Sequence, residues 1–226
     1  MINIKIDQII RSKRKTLGLE VTHDARLIVR APKTASLAYI EKVVSKKQLW
    51  IQSKQKLVTE KQQLVQPKEF ISGEGFLYLG DTYQLHIVDD CSPSLSFDQG
   101  FYLLSSVLNE KSPQVLFIDW YRKQAYQKIK ERIDWYSDLF GFKYNKFSIT
   151  NAQKRWGSCN TKGNLYISWR LIMAPLHVVD YVVIHELTHL KEMNHSKKFW
   201  DKIRVMIPDF QKSLNWLKEN GHLLVI

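Results

Sequence analysis

Alternating hydrophobic and polar positions run through the first hundred residues, and this period of two is typical of half-buried strands. Residues 16–32, TLGLEVTHDARLIVRAP, form two such runs around a polar centre, so they predict a β-hairpin. Residues 76–88 and 94–104 show the same pattern around glycine-containing turns. The predicted turns are His23-Asp24-Ala25, Gly80-Asp81 and Asp98-Gln99-Gly100. Three hairpins are therefore predicted in this part of the chain.

A helical period replaces the alternation in two long segments. Thr34 or Ser36 is suited to begin a polar helix that continues to about residue 65. A second long helix is predicted from Pro113, because proline is favoured in the first turn of a helix. This helix should end at Gly141, since glycine adopts the left-handed conformation of a helix end without steric cost.

Short elements of both kinds follow the second long helix. They are a strand at Lys146–Thr150, a loop at 151–163, a strand at 164–169 (NLYISW) and a helix beginning at Pro175. Amphipathic helical segments close the chain, with a break at Pro208 and a stop at Gly221. The sequence therefore predicts an α+β protein. A strand-rich N-terminal module with one long helix, residues 1–110, precedes a helix–strand–strand–helix module, residues 111–226.

Composition places the chain among globular proteins, because 44% of its 226 residues are hydrophobic and 12% are aromatic. No apolar run approaches the roughly 18–20 residues that a membrane span needs. The N-terminus lacks the apolar segment and small-residue cleavage site of a signal peptide. Two cysteines, Cys91 and Cys159, form neither a disulfide framework nor a CxxC metal knuckle. We therefore expect a cytoplasmic protein without membrane contact.

Positive charge is the second compositional feature. Against 22 Asp and Glu stand 34 Lys and Arg, and the resulting net charge of +12 favours anionic partners such as nucleic acid or phosphorylated small molecules. The basic residues are dispersed, apart from a run at 11–15 and lysine pairs at 46–47 and 197–198. No aromatic RNA-binding signature or DNA-reading helix motif occurs, so a lysine-rich solvated surface is the simpler explanation.

Three residues in the stretch VVIHELTHLKEMNHSKKFW, residues 182–200, form an HExxH motif: His185, Glu186 and His189. Residues four apart on a helix differ by about 40° in direction, so the two imidazoles can bind one ion. Glu186 points about 60° away from His189, which puts it near the ion without making it an obvious ligand. That is the position expected of a general base. The surrounding helix is apolar nearly all round, which predicts burial.

A third ligand requires the helix to end, because on a continuous helix His195 would point about 120° away from His189. We expect the chain to leave the helix between Leu190 and Asn194. Asn194 tolerates the left-handed conformation in which helices often end. Such a bend would return His195 to the ion and complete a three-histidine site with an open fourth position, as in catalytic zinc sites.

A structural zinc site is the alternative that needs no catalysis. It requires four protein ligands, and no cysteine or aspartate lies at a suitable position nearby. A chance HExxH in a chain of this composition has a probability on the order of 1%, and a third histidine at a usable position lowers it further. The sequence therefore favours a catalytic metal.

The chain resembles the YgjP-like family of predicted zinc hydrolases, distant relatives of the SprT-like and other zincin metallopeptidases. The resemblance spans nearly the whole chain and is most specific at 154–200, KRWGSCNTKGNLYISWRLIMAPLHVVDYVVIHELTHLKEMNHSKKFW. It implies a minimal zincin-like domain with one Zn²⁺ bound by His185, His189 and His195 and with Glu186 as the catalytic glutamate. The related metzincins have glycine three residues before the last histidine, where this chain has Glu192.

Four further residues are candidates for substrate binding. Arg155 can bind a carboxylate or phosphate and Trp156 can line a pocket, while Tyr181 or Arg155 can stabilise an oxyanion. Asn194 is included because the bend that completes the site depends on it. The alternative is structural: Trp156 packs in the core and Arg155 pairs with an acidic side chain. By the zincin resemblance, the strand at 164–169 would align an extended peptide as an added strand.

These observations favour a zinc-dependent metallopeptidase in which Glu186 acts as general base. A metal-dependent phosphohydrolase acting on a nucleoside triphosphate is the second hypothesis, supported by the positive charge and by Arg155, although three histidines suit magnesium poorly. A DNA-associated protease, with the basic run at 11–15 in a binding module, is the third. The expected partners are thus a peptide, a protein or an anionic small molecule, with nucleic acid as a possible addition.

Overall fold

The chain divides into two compact units, Met1–Gln66 and Pro67–Ile226. The structure, a computed structural model, describes residues 4–22, 24–63, 66–90, 92–110 and 112–226. His23 of the first predicted turn and Cys91 lie outside these residues. Each unit has its own cluster of buried hydrophobic side chains.

The first unit begins with a three-stranded sheet in the order β1-β3-β2. Strand β1 is Gln8–Ser12, β2 is Gly18–Val21 and β3 is Leu27–Pro32. Strands β2 and β3 pair antiparallel, which confirms the predicted hairpin, while β1 pairs parallel to β3 and was not predicted. Leu27, Val29 and Ala31 alternate along β3 and are fully buried, as a half-buried strand requires.

Two helices replace the single long helix predicted for this unit. Helix α1 is Leu37–Lys46 and α2 is Gln48–Gln63. Ser36 is the N-cap of α1, because its side chain accepts a hydrogen bond from the Tyr39 N–H at 3.2 Å. The break falls at Lys47, where the N–H group is shared between two carbonyls of α1. Lysine carries no helix-breaking signal, so sequence could not locate this break.

The second unit opens with a four-stranded sheet in the order β4-β5-β7-β6. Its strands are β4 Gly75–Tyr78, β5 Asp81–Val88, β6 Leu95–Phe97 and β7 Phe101–Leu104. Both predicted hairpins are present, since β4 pairs antiparallel with β5 and β6 with β7. The first turn lies one residue earlier than predicted, at Leu79 and Gly80, whose φ angles of 50° and 95° match a two-residue hairpin turn.

Aromatic side chains join this sheet to the long helix that follows. After the short helix α3, Val107–Glu110, helix α4 spans Pro113–Phe140 and ends at Gly141 with φ 65°, as predicted. The rings of Phe76 in β4 and Phe117 in α4 stack with centroids 4.3 Å apart. The sheet and α4 therefore share one core, and the predicted division at residue 110 falls inside the second unit.

A second sheet of this unit has the order β8-β10-β9. Strand β8 is Lys146–Thr150, β9 is Gly157–Cys159 and β10 is Asn164–Ser168. Strand β9 lies in the segment predicted as a loop. It was not predicted because its three small residues show no alternation of hydrophobic and polar positions. The prediction that 164–169 is a substrate-aligning edge is therefore wrong: β10 is the middle strand, and β9 lies at the edge.

Five helical segments complete the described part of the second unit. A 3-10 helix at Trp169–Met173 leads into α5, Leu176–Thr188, followed by α6, Lys197–Met206, and α7, Phe210–Asn220. A second 3-10 helix, Gly221–Leu223, follows α7. The predicted break at Pro208 and end at Gly221 agree with these bounds. Helix α5 contacts α4, α6, α7 and strand β9, so it lies in the interior of the unit. Across the described ranges, every helix is too short or too polar to cross a membrane.

Candidate metal centre

Helix α5 carries the HExxH motif into the core. The helix is buried nearly all round, as its sequence predicts: Val179, Val183 and Leu187 are fully buried, and Val182 is 4% exposed. Burial of imidazoles in such surroundings is costly unless they have a partner.

The helix ends earlier than predicted, at Thr188 rather than beyond Leu190. The Thr188 hydroxyl donates to the Ile184 carbonyl at 2.7 Å, and the N–H groups of Leu190 and Lys191 bond to carbonyls three residues back. These shorter bonds tighten the chain out of the α-helix. The left-handed conformation expected at Asn194 is wrong, because Asn194 is not among the described residues with positive φ.

This break brings the third histidine back to the other two. One ligand nitrogen from each of His185, His189 and His195 lies within 4.8 Å of the others. The Nε2 atoms of His185 and His195 are 3.0 Å apart. The spacing prediction that a bend would close a three-histidine cluster therefore matches the geometry. Among the described residues, no acidic or cysteine side chain joins the cluster as a fourth member.

Hydrogen bonding sets the orientation of His189. Its Nδ1 lies 3.0 Å from the Glu192 carbonyl, so Nδ1–H donates there and Nε2 keeps its lone pair for an ion. The Glu192 carboxylate pairs with Lys202 of α6 at 3.2 Å. Glu192, which stands where metzincins have glycine, thus connects the bend to His189 at the end of α5 and to Lys202 of α6.

His185 and His189 are held in the form that binds metal. Burial lowers the pKa of His185 to about 3, with further lowering from His189 and His195. Burial also lowers the pKa of His189. Neutral imidazole is the ligand form, and three imidazoles without a fourth protein ligand among the described residues match a zinc site of the catalytic type. The donor set therefore fits the implied ion.

Glu186 is a buried carboxylate beside this cluster. Its side chain is 5% exposed, and Oε2 has no hydrogen-bond partner among the described residues. Burial raises the pKa of Glu186 to about 8, an effect that the charge of Arg155 partly offsets. A buried carboxylate without a partner is rare, and it marks a candidate functional group.

Strand β9 passes directly over Glu186. A Cβ added to Gly157 would lie 2.5 Å from the Glu186 Oε1 atom, closer than real Cβ contacts allow. The Arg155 cation lowers the pKa of Glu186, and the Glu186 charge raises the pKa of the Cys159 thiol at the end of β9. Gly157 and Cys159 of β9 therefore lie near Glu186 of α5, and Arg155 lies just before the strand.

The remaining predicted residues differ in where they lie. Arg155 is exposed and makes no hydrogen bond or ion pair with any residue that the structure describes. Trp156 is half-buried and packs against the core and Gly221, which agrees with the structural alternative. Tyr181 is 4% exposed, and burial raises its pKa to about 12. Asn194 is exposed in the bend.

Two aromatic residues of α6 complete the surroundings and were missed from sequence. The Phe199 ring centroid lies 4.9, 4.7 and 4.8 Å from those of His185, His189 and His195. The Trp200 ring stacks on His195 with centroids 5.8 Å apart. The signal was the pair FW after the last histidine, which is indistinguishable from ordinary core residues without the fold.

Comparison with known protein families identifies a family to which the chain is similar. The model of the YgjP-like metallopeptidase domain matches residues 15–220, nearly the whole chain. No curated protein matches, and neither does any solved structure.

Proposed function

The chain belongs to the YgjP-like metallopeptidase family, and on that premise we propose that it is a zinc-dependent peptidase that cleaves amide bonds of a peptide or protein. The family supports a metal-dependent hydrolase in general, while zinc and the peptide substrate are our proposal. The observation that carries it is the convergence of three imidazoles beside a buried carboxylate.

His185, His189 and His195 would hold the ion. One ligand nitrogen of each lies within 4.8 Å of the others, and the bond from His189 Nδ1–H to the Glu192 carbonyl leaves the Nε2 lone pair of His189 free for the ion. A bound divalent cation supplies Lewis acidity, which polarises a carbonyl oxygen and acidifies water.

Glu186 would act as the general base. Its unpartnered Oε2 can accept a proton from water and return it to the leaving amine nitrogen. Burial brings its pKa towards neutrality, where a carboxylate both accepts and donates a proton efficiently. The neighbouring Arg155 cation favours the ionised, basic form of Glu186.

Strand β9 would align the substrate. Its residues pair with β10 on one side, and no described strand occupies the other side. An extended peptide added along that edge would gain backbone hydrogen bonds. Because Gly157 lacks a side chain, the peptide backbone would run close to Glu186.

A phosphohydrolase is the second candidate, favoured by the unpaired guanidinium of Arg155 beside Glu186. Guanidinium groups bind phosphate and carboxylate equally well, so this residue does not decide the substrate. The histidine donor set suits zinc and disfavours the magnesium that most phosphoanhydride hydrolases use.

Metal analysis and activity measurements together test the proposal. The wild-type chain should bind one equivalent of zinc and cleave an unfolded protein such as labelled casein. Glu186→Gln should retain the zinc and lose turnover by about 10²-fold or more. His189→Ala should lose both, whereas His177→Ala, an exposed histidine on the same helix, should change neither.

Two outcomes would overturn this proposal. Casein cleavage at the wild-type rate by Glu186→Gln would remove Glu186 as the base. Zinc-loaded protein that hydrolyses nucleoside triphosphates and leaves casein and peptide libraries intact would replace the peptidase with the phosphohydrolase.

A further inference from the structure

The positive charge of this chain is concentrated in the first unit. Residues 1–66 contain 14 Lys and Arg against 5 Asp and Glu, a net charge of +9 out of +12. Residues 67–226 contain 20 against 17, a net charge of +3. The unit with the candidate metal centre is therefore close to neutral, and the excess charge belongs to a part of the chain without a proposed role.

The arginines of the sheet are largely used within the unit. The Arg11 guanidinium donates to the carbonyls of Pro32, Lys33 and Ala35, so it holds the end of β3 in place. Arg30 pairs with Glu20 at 2.8 Å. The basic run at 11–15 is thus partly structural, and it is a weaker candidate for a binding surface than its sequence suggests.

Several lysines of the two helices are exposed and lie outside ion pairs, unlike Lys56, which pairs with Glu60. The exposed lysines without an ion pair in the described part of the chain include Lys42 and Lys46 of α1, Lys47 between the helices and Lys54 of α2. Helices α1 and α2 face the sheet through Ile40, Val44 and Ile51. The exposed lysines of both helices therefore lie outside this buried cluster.

Aromatic side chains lie among these lysines. Tyr39 is 54% exposed and precedes Lys42 and Lys46 by three and seven residues, so the three share one helix face. Trp50 is 42% exposed and precedes Lys54 by four residues on α2. We call this set the α1–α2 surface; its members are Tyr39, Lys42, Lys46, Trp50 and Lys54.

We propose that the α1–α2 surface binds single-stranded nucleic acid. The lysines neutralise phosphates, and the rings of Tyr39 and Trp50 stack on unpaired bases. Stacking requires bases that are not enclosed in a duplex, which is why the aromatic residues indicate single strands. This role is separate from hydrolysis and does not depend on the metal centre.

An anionic membrane is the rival partner, because Leu49 and Leu57 of α2 are also exposed. A helix that lies on a membrane keeps apolar and basic residues on opposite faces. On α2 the helical positions of Leu49, Leu57 and Trp50 lie between those of Lys56 and Lys54, so basic side chains border the apolar ones instead of lying on the opposite face. That mixture favours nucleic acid.

Fluorescence anisotropy of a labelled 20-nucleotide oligo-dT, titrated with the full-length chain at several salt concentrations, tests the phosphate contacts. Removing three phosphate contacts with Lys42→Gln, Lys46→Gln and Lys54→Gln should reduce the slope of log K against log salt by about 2. The matched control changes three exposed lysines of the second unit, Lys143→Gln, Lys146→Gln and Lys162→Gln, and should keep the wild-type slope. An equal change in both triple variants would reduce the effect to net charge and overturn the proposal.

A second variant tests stacking. Trp50→Ala should weaken oligo-dT binding about tenfold, and Trp50→Phe should restore most of it. Tight binding of phosphatidylserine vesicles with no binding of oligo-dT would assign the surface to membranes instead. His189→Ala should bind oligo-dT like wild type, so the outcome is independent of the proposed peptidase. Unchanged melting temperatures establish that the variants are folded.

Discussion

Gly157 lies so close to Glu186 that there is no room between them for a methyl group. The close approach of β9 to the carboxylate depends on a glycine at a position where the backbone itself is not strained, since Gly157 is not among the described residues with positive φ. The glycine is therefore needed for space rather than for backbone freedom. Sequence reasoning identified the HExxH residues from helical spacing but not this contact, because β9 and α5 meet only in the folded chain.

Gly157→Ala should move the carboxylate or the strand, since the added Cβ would meet Glu186 Oε1 at 2.5 Å. We expect a fall in turnover of about 10²-fold, the effect of a misplaced catalytic group, with metal content unchanged. Steady-state kinetics and metal analysis measure both. Ser158→Ala, on the adjacent position of β9, is the control; equal losses in the two variants would contradict the steric explanation.

Cys159 should be a slow nucleophile. Burial, and next the charge of Glu186, raise its pKa to about 11, so the thiol is protonated at neutral pH. In a Cys91→Ser background, the rate of alkylation by iodoacetamide should keep rising through pH 9 and reach half its maximum near pH 11. A half-maximum near the ordinary value of about 8.5 would contradict this environment.

The bend between α5 and α6 decides whether two or three histidines meet. Sequence placed the need for this bend correctly, because helix geometry excludes His195 from a continuous helix. The predicted cause of the bend, a left-handed conformation at Asn194, was wrong. After Thr188 the chain turns through hydrogen bonds that span three residues instead of four. The next helix, α6, is capped by Ser196, whose side chain accepts a hydrogen bond from the Phe199 N–H at 3.4 Å.

Ser196→Ala should therefore lower the free energy of unfolding by about 1 kcal/mol, the usual cost of a lost N-cap. Asn194→Ala should change it by less than about 0.5 kcal/mol, because Asn194 is exposed and does not hold the left-handed conformation. Urea denaturation of the metal-free protein measures both. A larger loss for Asn194→Ala than for Ser196→Ala would return the bend to Asn194.

Other elements divide in the same way between predictable and unpredictable. The hairpins and α4 follow from hydrophobic period and from Gly141, which are local signals. Strand β9 has three small residues, and its pairing with β10 is supplied by tertiary contacts. The break at Lys47 likewise has no local signal. Elements whose formation depends on tertiary contacts were therefore not predicted from the sequence.

At the scale of the molecule, two hydrophobic cores correspond to two units with different charge. The core of the second unit includes β4 to β7 together with α4 and α5, which is why a division by strand content at residue 110 does not fit. The concentration of positive charge in the first unit can be counted from the sequence, but only after the boundary at residue 66 is known.

The segment 67–226 should fold by itself, since its core contains residues of that segment alone. Expressed separately, it should melt cooperatively, bind one zinc and lose the affinity of the full chain for oligo-dT. Circular dichroism, metal analysis and anisotropy provide the three measurements. A fragment that fails to fold would show that the first unit is required for stability.

The ring of Phe199 has a further consequence for how the metal enters. It touches all three imidazoles, and its residue is fixed by the Ser196 cap and by full burial. The histidines are thereby oriented by packing before any ion arrives, so little conformational entropy is lost when one binds. Metal uptake by this protein would then resemble the filling of a preformed receptor, unlike the folding reaction by which zinc fingers acquire their ion.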